Sequence, residues 1–171
     1  ALKKATGGRL VCGGDIGCYG NLSKPPWSLS DWSICMGAGI GIAQGVSHKV
    51  DDLPVVALIG DSTFFHAGLP SVLNAAYQHA NVLLMLMDNR WTALTGHQPC
   101  PSTVETVDGK PLEAIRIKEM LEGLGVKYIV TADPYKPEEM ARTIGEALKE
   151  PGMKAIIAEG ECVLQSQRRA R

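Results

Sequence analysis

The sequence comprises 171 residues, of which 45% are hydrophobic and 20% are charged, and its formal net charge is -1. This composition is typical of one compact soluble domain and excludes disordered and fibrous chains. The nearly balanced charge gives no sign of a nucleic-acid or acidic-membrane surface, and no apolar run reaches the roughly 18 residues of a membrane span.

The elements are predicted from hydrophobic periodicity, in chain order. Residues Ile34–Val46 favour a glycine-dense helix without a polar face, which we expect to be buried against close neighbours. The apolar run Leu53–Ile59 predicts a strand buried on both faces, as in parallel sheets. A helix over Gly68–His79 and a strand over Val82–Met87 complete a βαβ unit.

The second half of the chain continues this alternation of helices and strands. We predict a helix, a strand, a helix and a strand over Leu112–Leu124, Lys127–Val130, Glu138–Lys149 and Lys154–Ala158. The pattern indicates an α/β fold with a doubly wound, mostly parallel sheet and helices on both faces, in a single domain over residues 1–171. Ligands of such folds bind outside the carboxyl ends of the strands.

Two long glycine- and proline-rich loops are predicted, over Gly13–Trp27 and Trp91–Lys110. Long loops inside a compact domain are more often functional than idle. The basic tail of Arg168, Arg169 and Arg171 is interpreted as a solvated end or as the start of a further segment.

The five cysteines are odd in number, widely spaced and without a Cys-x-x-Cys pair: Cys12, Cys18, Cys35, Cys100 and Cys162. We interpret them as free thiols of a cytoplasmic protein, and the lysine-rich start lacks the apolar core of a signal peptide. Cys12 and Cys18 flank a glycine-rich stretch, so an alternative is that they face a cofactor. Two cysteines alone do not supply the four ligands of an ordinary iron–sulfur cluster.

Oxygen-bearing side chains follow both strands of the βαβ unit. Asp61 comes directly after the first strand, and Asp88 and Asn89 come after the second. Mg²⁺ prefers oxygen ligands and commonly bridges a protein to phosphate, while Ser62 lies where it could hold a phosphate at a helix start. Gly60 permits close approach of a ligand. The alternative is an ordinary surface turn that caps the next helix.

This pattern resembles the signature of thiamine diphosphate enzymes, a Gly-Asp-Gly/Ser motif followed by an Asn, because Asn89 follows Asp61 by 28 residues. More specifically, several segments look like the C-terminal, diphosphate-type domain of the alpha subunit of the indolepyruvate:ferredoxin oxidoreductase family. These segments are Gly14–Tyr19, Ile34–Gly39, Gly60–His66, Asp88–Arg90 and Thr95–Pro99.

The resemblance implies a cofactor site of thiamine diphosphate and Mg²⁺. By this resemblance, Asp61, the Asn89 side chain and the Trp91 carbonyl would bind the metal. The cofactor would contact Gly17, Cys18, Tyr19, Met36, Gly37, Ala38, Gly39, Gly60, Asp61, Ser62, Thr63, Asn89, Trp91, Thr92, Ala93, Leu94 and Thr95. His66 and His97 are candidate proton donors to the substrate, and the alternative for each is a hydrogen-bonded loop histidine.

The implied activity is oxidative decarboxylation of a 2-oxoacid, an aryl pyruvate such as indolepyruvate, to an acyl-CoA. Coenzyme A would be a co-substrate, and electrons would leave to ferredoxin through an iron–sulfur cluster in a missing domain or partner. A pyrimidine-binding domain or subunit would supply an activating glutamate, so we expect an oligomer that is inactive without it. The chain would be either a small subunit or an excised part of a longer polypeptide.

Two alternatives stay open at this point. One is the diphosphate-binding subunit of a non-oxidative 2-oxoacid decarboxylase of the sulfopyruvate or phosphonopyruvate type. The other is a non-catalytic α/β module that binds a nucleotide or only scaffolds an assembly. The sequence has no Gly-x-x-x-x-Gly-Lys-Ser/Thr loop, which argues against nucleotide binding.

Overall fold

A computed structural model describes residues 1–169. It contains a six-stranded, all-parallel sheet with the strand order β2-β1-β3-β4-β6-β5. Its strands are β1 (Val11–Gly14), β2 (Trp32–Ser33), β3 (Val55–Gly60), β4 (Val82–Asp88), β5 (Tyr128–Ala132) and β6 (Lys154–Glu159). Arg171 of the basic tail lies outside the described residues.

Helices connect the strands. The α-helices are α1 (Leu2–Thr6), α2 (Ala38–Ser47), α3 (Asp61–Thr63), α4 (Leu69–Tyr77), α5 (Ile117–Gly123), α6 (Pro137–Ala147) and α7 (Val163–Arg169). A 3₁₀ helix spans Cys18–Ser23, and a π-helical segment, Phe64–Gly68, joins α3 to α4. Within residues 1–169, none of these helices has the length and apolar character needed to cross a membrane.

The alternation of side chains along the central strands places a core on each face of the sheet. Val55, Ala57 and Ile59 pack with α2, α4 and α5 on one face. Val56 and Leu58 pack with α1 and α6 on the other face. The predicted doubly wound α/β fold with helices on both faces is therefore confirmed.

The strand order reverses between β1 and β3, because β2 lies on one side of this pair and the later strands lie on the other. Such a switch point leaves a crevice at the carboxyl edge of the sheet. Gly60 pairs with Met87, and Asp88 pairs with Glu159, so the ends of β3, β4 and β6 meet at that edge. The fold thus brings the residues that follow these strands together.

The predicted helix Leu112–Leu124 is wrong in its first part, since α5 begins only at Ile117. The Leu112 amide donates to the Val104 carbonyl at 2.7 Å, and the Ile115 amide donates to the Pro101 carbonyl at 2.8 Å. These donors are used by the preceding loop and are not available to a helix. Tertiary hydrogen bonds have overridden the local amphipathic pattern.

The glycine-dense helix also differs from its prediction. It begins at Ala38, and Gly41 and Gly45 face open space, so only one side of the helix is buried. Strand β1 and the edge strand β2 were not predicted, because β1 is half glycine and β2 has only two residues. The predicted loop Gly13–Trp27 therefore starts inside β1.

Candidate functional site

A cleft of about 280 Å³ opens at the carboxyl edge of the sheet, at the switch point. Nearly all of the residues predicted to contact a cofactor line this cleft. They are Gly17, Cys18, Tyr19, Met36, Gly60, Asp61, Ser62, Thr63, Asn89, Trp91, Thr92, Ala93, Leu94 and Thr95. Residues from distant parts of the chain thus share one surface.

Asp61 is held rigidly in the cleft wall at the start of α3. Its side chain is only 2% exposed. One carboxylate oxygen accepts a hydrogen bond from the Ser62 amide at 2.8 Å, and the other accepts one from the Ser102 hydroxyl at 2.9 Å. Burial raises the pKa of Asp61 although these bonds favour the charged form. The hydrogen bonds therefore orient the carboxylate, but they do not fully offset the cost of burying its charge.

A second carboxyl group lies beside it. Burial and the neighbouring Asp61 raise the pKa of Asp88 to about 7, against a hydrogen bond from the Arg90 amide at 3.2 Å. Two adjacent desolvated carboxyl groups disfavour full ionisation, so they share a proton or attract a cation. The electrostatics of this wall therefore suit a positively charged ligand.

The turn after β4 presents Asn89 and Trp91 to the cleft. The Asn89 side-chain oxygen accepts a hydrogen bond from the Trp91 amide at 2.9 Å, which closes an Asx turn. Arg90, between them, has a φ of 66°. Trp91 is 6% exposed, so its ring anchors the turn in the protein. Asn89 and Trp91, two of the three predicted metal ligands, consequently line the same cleft as Asp61, the third.

The segment from Trp91 to Gln98 folds over as a short hairpin. Thr92 and Gln98 form an antiparallel bridge, and the Thr92 amide donates to the Gln98 carbonyl at 3.0 Å. The Thr92 hydroxyl donates to the Ser62 hydroxyl at 2.8 Å, which ties the hairpin to α3. The predicted loop is therefore ordered by its own contacts and forms one side of the cleft.

The opposite side is built by the segment after β1. A Cβ atom at Gly17 would come within 2.3 Å of the Tyr19 ring, so any larger residue there would displace that ring. The Tyr19 hydroxyl donates to the carboxylate of Asp15, whose other oxygen accepts from the Gly37 amide at 2.9 Å. Burial raises the pKa of Asp15 to about 6. Asp15 thus fixes both Tyr19 and the start of α2.

Three predicted cofactor contacts, Gly37, Ala38 and Gly39, do not line the cleft. A Cβ atom at Gly39 would lie 2.9 Å from the Gly14 backbone, and one at Gly37 would lie 2.6 Å from the Ala67 side chain. These glycines are used for close packing of α2 against the sheet and the π-helical segment. They follow Met36, which does line the cleft, and their contact with a cofactor stays a prediction.

The two histidines predicted as proton donors lie at different distances from the cleft. His66 is exposed in the π-helical segment and does not line the cleft. His97 lies at its rim, with Nε2 3.3 Å from the sulfur of Cys162, which does line it. Arg168 contacts Nδ1 of His97 at 3.0 Å.

The contact with Arg168 determines the tautomer of His97. A guanidinium group only donates, so Nδ1 must accept and Nε2 must carry the proton. Burial and the Arg168 charge lower the pKa of His97. The imidazole therefore presents an N–H group to the sulfur at the rim.

Several cleft residues were missed by the sequence analysis. Pro134 and Tyr135 follow β5, and Gly160 and Cys162 follow β6. The rule that ligands bind at the carboxyl ends of strands could have found them, since both strands were predicted. Ser102 lies within the predicted loop Trp91–Lys110, but its bond to Asp61 spans 41 residues and has no sequence signal.

The donor set fits Mg²⁺ in its chemistry. Among residues 1–169, no group of three or more His, Cys, Asp or Glu side chains is placed to hold a metal ion. A cation here would rely on the Asp61 carboxylate together with amide or carbonyl oxygens and oxygens of its ligand. Hard oxygen donors with few carboxylates are the usual environment of Mg²⁺ that also binds phosphate.

Comparison with known proteins assigns a family to this architecture. Residues 15–158 match the family described as "Thiamine pyrophosphate enzyme, C-terminal TPP binding domain". The chain is 39% identical over 158 residues to indolepyruvate oxidoreductase subunit IorA of Archaeoglobus fulgidus, covering 92% of the chain and 25% of that protein. It is also 39% identical over 177 residues to the subunit of the same name from Pyrococcus horikoshii, covering 96% of the chain and 27% of that protein.

Solved structures share the fold. A 2-oxoglutarate:ferredoxin oxidoreductase from Magnetococcus marinus matches with a TM-score of 0.79 and 23% identity, over 90% of this chain and 55% of that one. A thiamine diphosphate-dependent 4-hydroxybenzoylformate decarboxylase from Rhodococcus jostii RHA1 matches with a TM-score of 0.62 and 21% identity, over 94% of this chain and 32% of that one. The chain spans about a quarter of the length of the curated relatives.

Proposed function

The chain belongs to the family of C-terminal TPP-binding domains of thiamine pyrophosphate enzymes, and from this premise we propose that its cleft binds thiamine diphosphate through Mg²⁺. The observation that carries the proposal is the convergence of Asp61, Ser62 and Asn89 on one wall. Asp61 and Asp88 are desolvated there, so a divalent cation would relieve their unfavourable charge. Asp61, the Asn89 side chain and the Trp91 carbonyl are the proposed metal ligands.

The remaining cleft residues have proposed roles by position. Ser62 and Thr63, at the start of α3, would bind the diphosphate together with the turn around Gly60. Gly17–Tyr19 and Met36 would contact the thiazolium side, and Trp91–Thr95 would cover the cofactor. Gly37, Ala38 and Gly39 would shape the cleft at the start of α2, where the Gly37 amide donates to Asp15. When bound, thiamine diphosphate supplies the nucleophilic carbon for decarboxylation of a 2-oxoacid.

For the histidines, we propose that His97 donates a hydrogen bond at the rim of the cleft. Its Nε2 proton points toward the sulfur of Cys162, which lines the cleft. His66 is exposed on the helix that leads away from Asp61, so it would be available to a group that a partner brings to the cleft. Both proposed roles are contacts with the substrate, not with the diphosphate.

We further propose that the whole enzyme is a 2-oxoacid:ferredoxin oxidoreductase acting on an aryl pyruvate such as indolepyruvate. Support comes from the curated relatives, whose printed name is indolepyruvate oxidoreductase. Coenzyme A, an iron–sulfur protein, ferredoxin and a domain that supplies the activating glutamate would complete the reaction in the cytoplasm. The relatives are about four times longer than the matched region, which leaves ample chain for such domains.

The alternative of a non-oxidative decarboxylase has less support. The fold is shared with a decarboxylase, so the fold does not separate the two reactions. The sequence relatives favour the oxidoreductase. A non-catalytic scaffold has no evident use for a buried carboxyl pair in an open cleft.

Calorimetric titration with thiamine diphosphate, with and without Mg²⁺, tests the site. We expect binding that requires Mg²⁺, and a loss of affinity of at least about 100-fold in Asp61→Ala, because an anionic ligand to the metal is removed. Asp52→Ala is the matched control, since Asp52 precedes the same strand at the opposite edge of the sheet. Binding that is indifferent to Mg²⁺ or to Asp61→Ala would contradict the proposal.

A further inference from the structure

A single turn of the chain contacts both parts of the proposed metal site. Residues 100–103 close this turn, in which the Thr103 amide donates to the Cys100 carbonyl at 2.8 Å. The Cys100 amide donates in return to the Thr103 hydroxyl at 2.8 Å. Pro101 is the second residue of the turn, and its ring fixes its own φ, so the turn is stiff. Residues 100–103 are called the bridging turn below.

The first contact of the bridging turn is with Asp61. The Ser102 hydroxyl donates to one carboxylate oxygen at 2.9 Å, and Ser102 is only 5% exposed. The Cys100 thiol lies 3.8 Å from the same oxygen. The other oxygen accepts from the amide of Ser62, which is the next residue in the chain. Ser102 therefore supplies the short hydrogen bond that ties the carboxylate to a segment 41 residues away.

The second contact is with the turn after β4. The Thr103 hydroxyl donates to the Arg90 carbonyl at 2.5 Å, and Thr103 is only 2% exposed. Arg90 lies between Asn89 and Trp91, and its φ of 66° is a left-handed conformation. A residue other than glycine keeps that conformation where its surroundings fix it. The Thr103 hydroxyl thus helps to hold the backbone from which Asn89 and Trp91 reach the cleft.

Neither hydroxyl is placed to touch a ligand itself, because Ser102 and Thr103 do not line the cleft. We propose that the bridging turn sets the spacing between Asp61 and the turn of residues 89–91, with Ser102 and Thr103 as positioning residues for the metal. The two residues act through the proposed metal ligands. The inference rests on the function proposed above and adds to it the residues that hold its two halves together.

The choice of metal separates positioning from folding. Mg²⁺ requires near-ideal octahedral geometry, whereas the larger Ca²⁺ accepts flexible arrangements of its oxygen ligands. A site whose ligands lose their fixed spacing should therefore lose affinity for Mg²⁺ more than for Ca²⁺. A general loss of folded structure would weaken both alike.

Calorimetric titration of the chain with thiamine diphosphate, in excess Mg²⁺ and separately in excess Ca²⁺, tests the inference. We expect Ser102→Ala and Thr103→Val each to weaken Mg²⁺-supported binding by about 10- to 100-fold, as the loss of a residue that orients a metal ligand usually does. Ca²⁺-supported binding should fall by no more than about threefold, because Ca²⁺ tolerates displaced ligands. Equal losses with both metals would assign the two residues to folding alone and overturn the inference.

Two further variants serve as controls. Thr103→Ser keeps the hydroxyl group and should keep the Mg²⁺-supported affinity. Thr106→Val removes a hydroxyl of the same loop that contacts Asp108 and Lys110, and it should also keep that affinity. A loss in Thr103→Ser as large as that in Thr103→Val would overturn the role of the hydroxyl.

A double variant tests whether the two contacts act as one bridge. Breaking either end releases the spacing, so Ser102→Ala/Thr103→Val should bind at most about threefold more weakly than the weaker single variant. Losses that multiply would show that the residues act separately and would overturn the bridge. Unchanged Mg²⁺-supported binding in both single variants would also overturn it. No Mg²⁺-dependent binding by the original chain would instead overturn the proposed function, and the inference with it.

Discussion

Asp88 is a cleft residue whose protonation depends strongly on its surroundings. Its pKa in the folded chain is about 7, against an ordinary value of 3.8, because burial and Asp61 disfavour its charge. Between these two pH values the folded chain binds more protons than the unfolded chain. The free energy of unfolding therefore falls as pH rises through this window.

The first prediction concerns Asp88→Asn in buffer with EDTA. We expect the free energy of unfolding of the variant to fall much less between about pH 4 and pH 7 than that of the original chain. At pH 7.5 the variant should have the higher free energy of unfolding, by roughly 1–2 kcal/mol. Urea unfolding at several pH values measures this. Asp52→Asn, at the opposite edge, should keep the original dependence, and an equal slope in Asp88→Asn would show that the carboxyl pair is not the cause.

The second prediction concerns the ring of His97. Arg168 holds Nδ1 as an acceptor and lowers the pKa of the imidazole together with burial, so His97 should be neutral, with its proton on Nε2, at pH 7. Long-range ¹⁵N–¹H NMR spectra report the tautomer and the titration. Arg168→Leu should raise the pKa towards the ordinary 6.5, whereas Arg116→Leu should not change it. A proton on Nδ1 in the original chain would rule out the contact.

At the residue scale, the sequence predicts that some residues meet in the cleft and misses others that the structure places there. Asp61 and Asn89 are found because each follows an apolar run that can only be a buried strand. Ser102 and Asp15 act by hydrogen bonds to residues 41 and 22 positions away, respectively. Such pairs have no period or spacing, so their partners become visible only when the chain is folded.

Helix α2 shows how one element serves two purposes. Gly39 faces inward, where a Cβ atom would lie 2.9 Å from the backbone of Gly14. Gly41 and Gly45 face outward into open space. Glycine weakens a helix by about 0.5–1 kcal/mol relative to alanine, so its density here needs contacts that offset the loss. The sequence indicated close packing correctly but not that it is confined to one side.

The third prediction is Gly39→Ala. The added methyl group meets backbone, which cannot rotate away, so we expect a loss of roughly 1–3 kcal/mol in the free energy of unfolding. The matched control is Gly145→Ala in α6, where the space is open and alanine should stabilise the helix by about 0.5–1 kcal/mol. Thermal unfolding followed by circular dichroism measures both. Similar effects of the two substitutions would contradict the close approach of α2 to β1.

Other elements show where hydrophobic patterns predict secondary structure and where they do not. The central strands β3, β4 and β6 are predicted because apolar runs buried on both faces are hard to mistake. The edge strand β2 has two residues and no pattern to find. Residues 112–116 have the spacing of a helix, yet the Leu112 and Ile115 amides bond the preceding loop. Local periodicity decides an element only where no tertiary partner competes for its hydrogen bonds.

For the whole molecule, the two ends of the parallel strands differ in their charged groups. The carboxyl edge has buried acids and open turns, while the opposite edge buries Lys154, whose Nζ donates to the Asn81 side chain. Burial lowers the pKa of Lys154 to about 8. Desolvated charge thus destabilises both edges, but only the acids line the cleft at the switch point. Stability gained by neutralising those acids should therefore report on ligand binding.

The fourth prediction follows from the position of the buried acids in the cleft. A ligand that binds only the folded chain adds about 2.7 kcal/mol at 100 times its dissociation constant, which for this length corresponds to a rise in Tm of roughly 5–10 °C. We expect this rise with thiamine diphosphate and Mg²⁺ together, because the diphosphate without the metal would face the Asp61 and Asp88 carboxyls. Differential scanning fluorimetry measures it.

Thiamine, which lacks the diphosphate, should produce little change in Tm even with Mg²⁺, since the metal would then lose its phosphate ligands. Asp61→Ala should abolish the rise, and Asp52→Ala should keep it. A similar rise with thiamine, or a rise that Asp61→Ala leaves intact, would contradict a metal that joins Asp61 to the diphosphate.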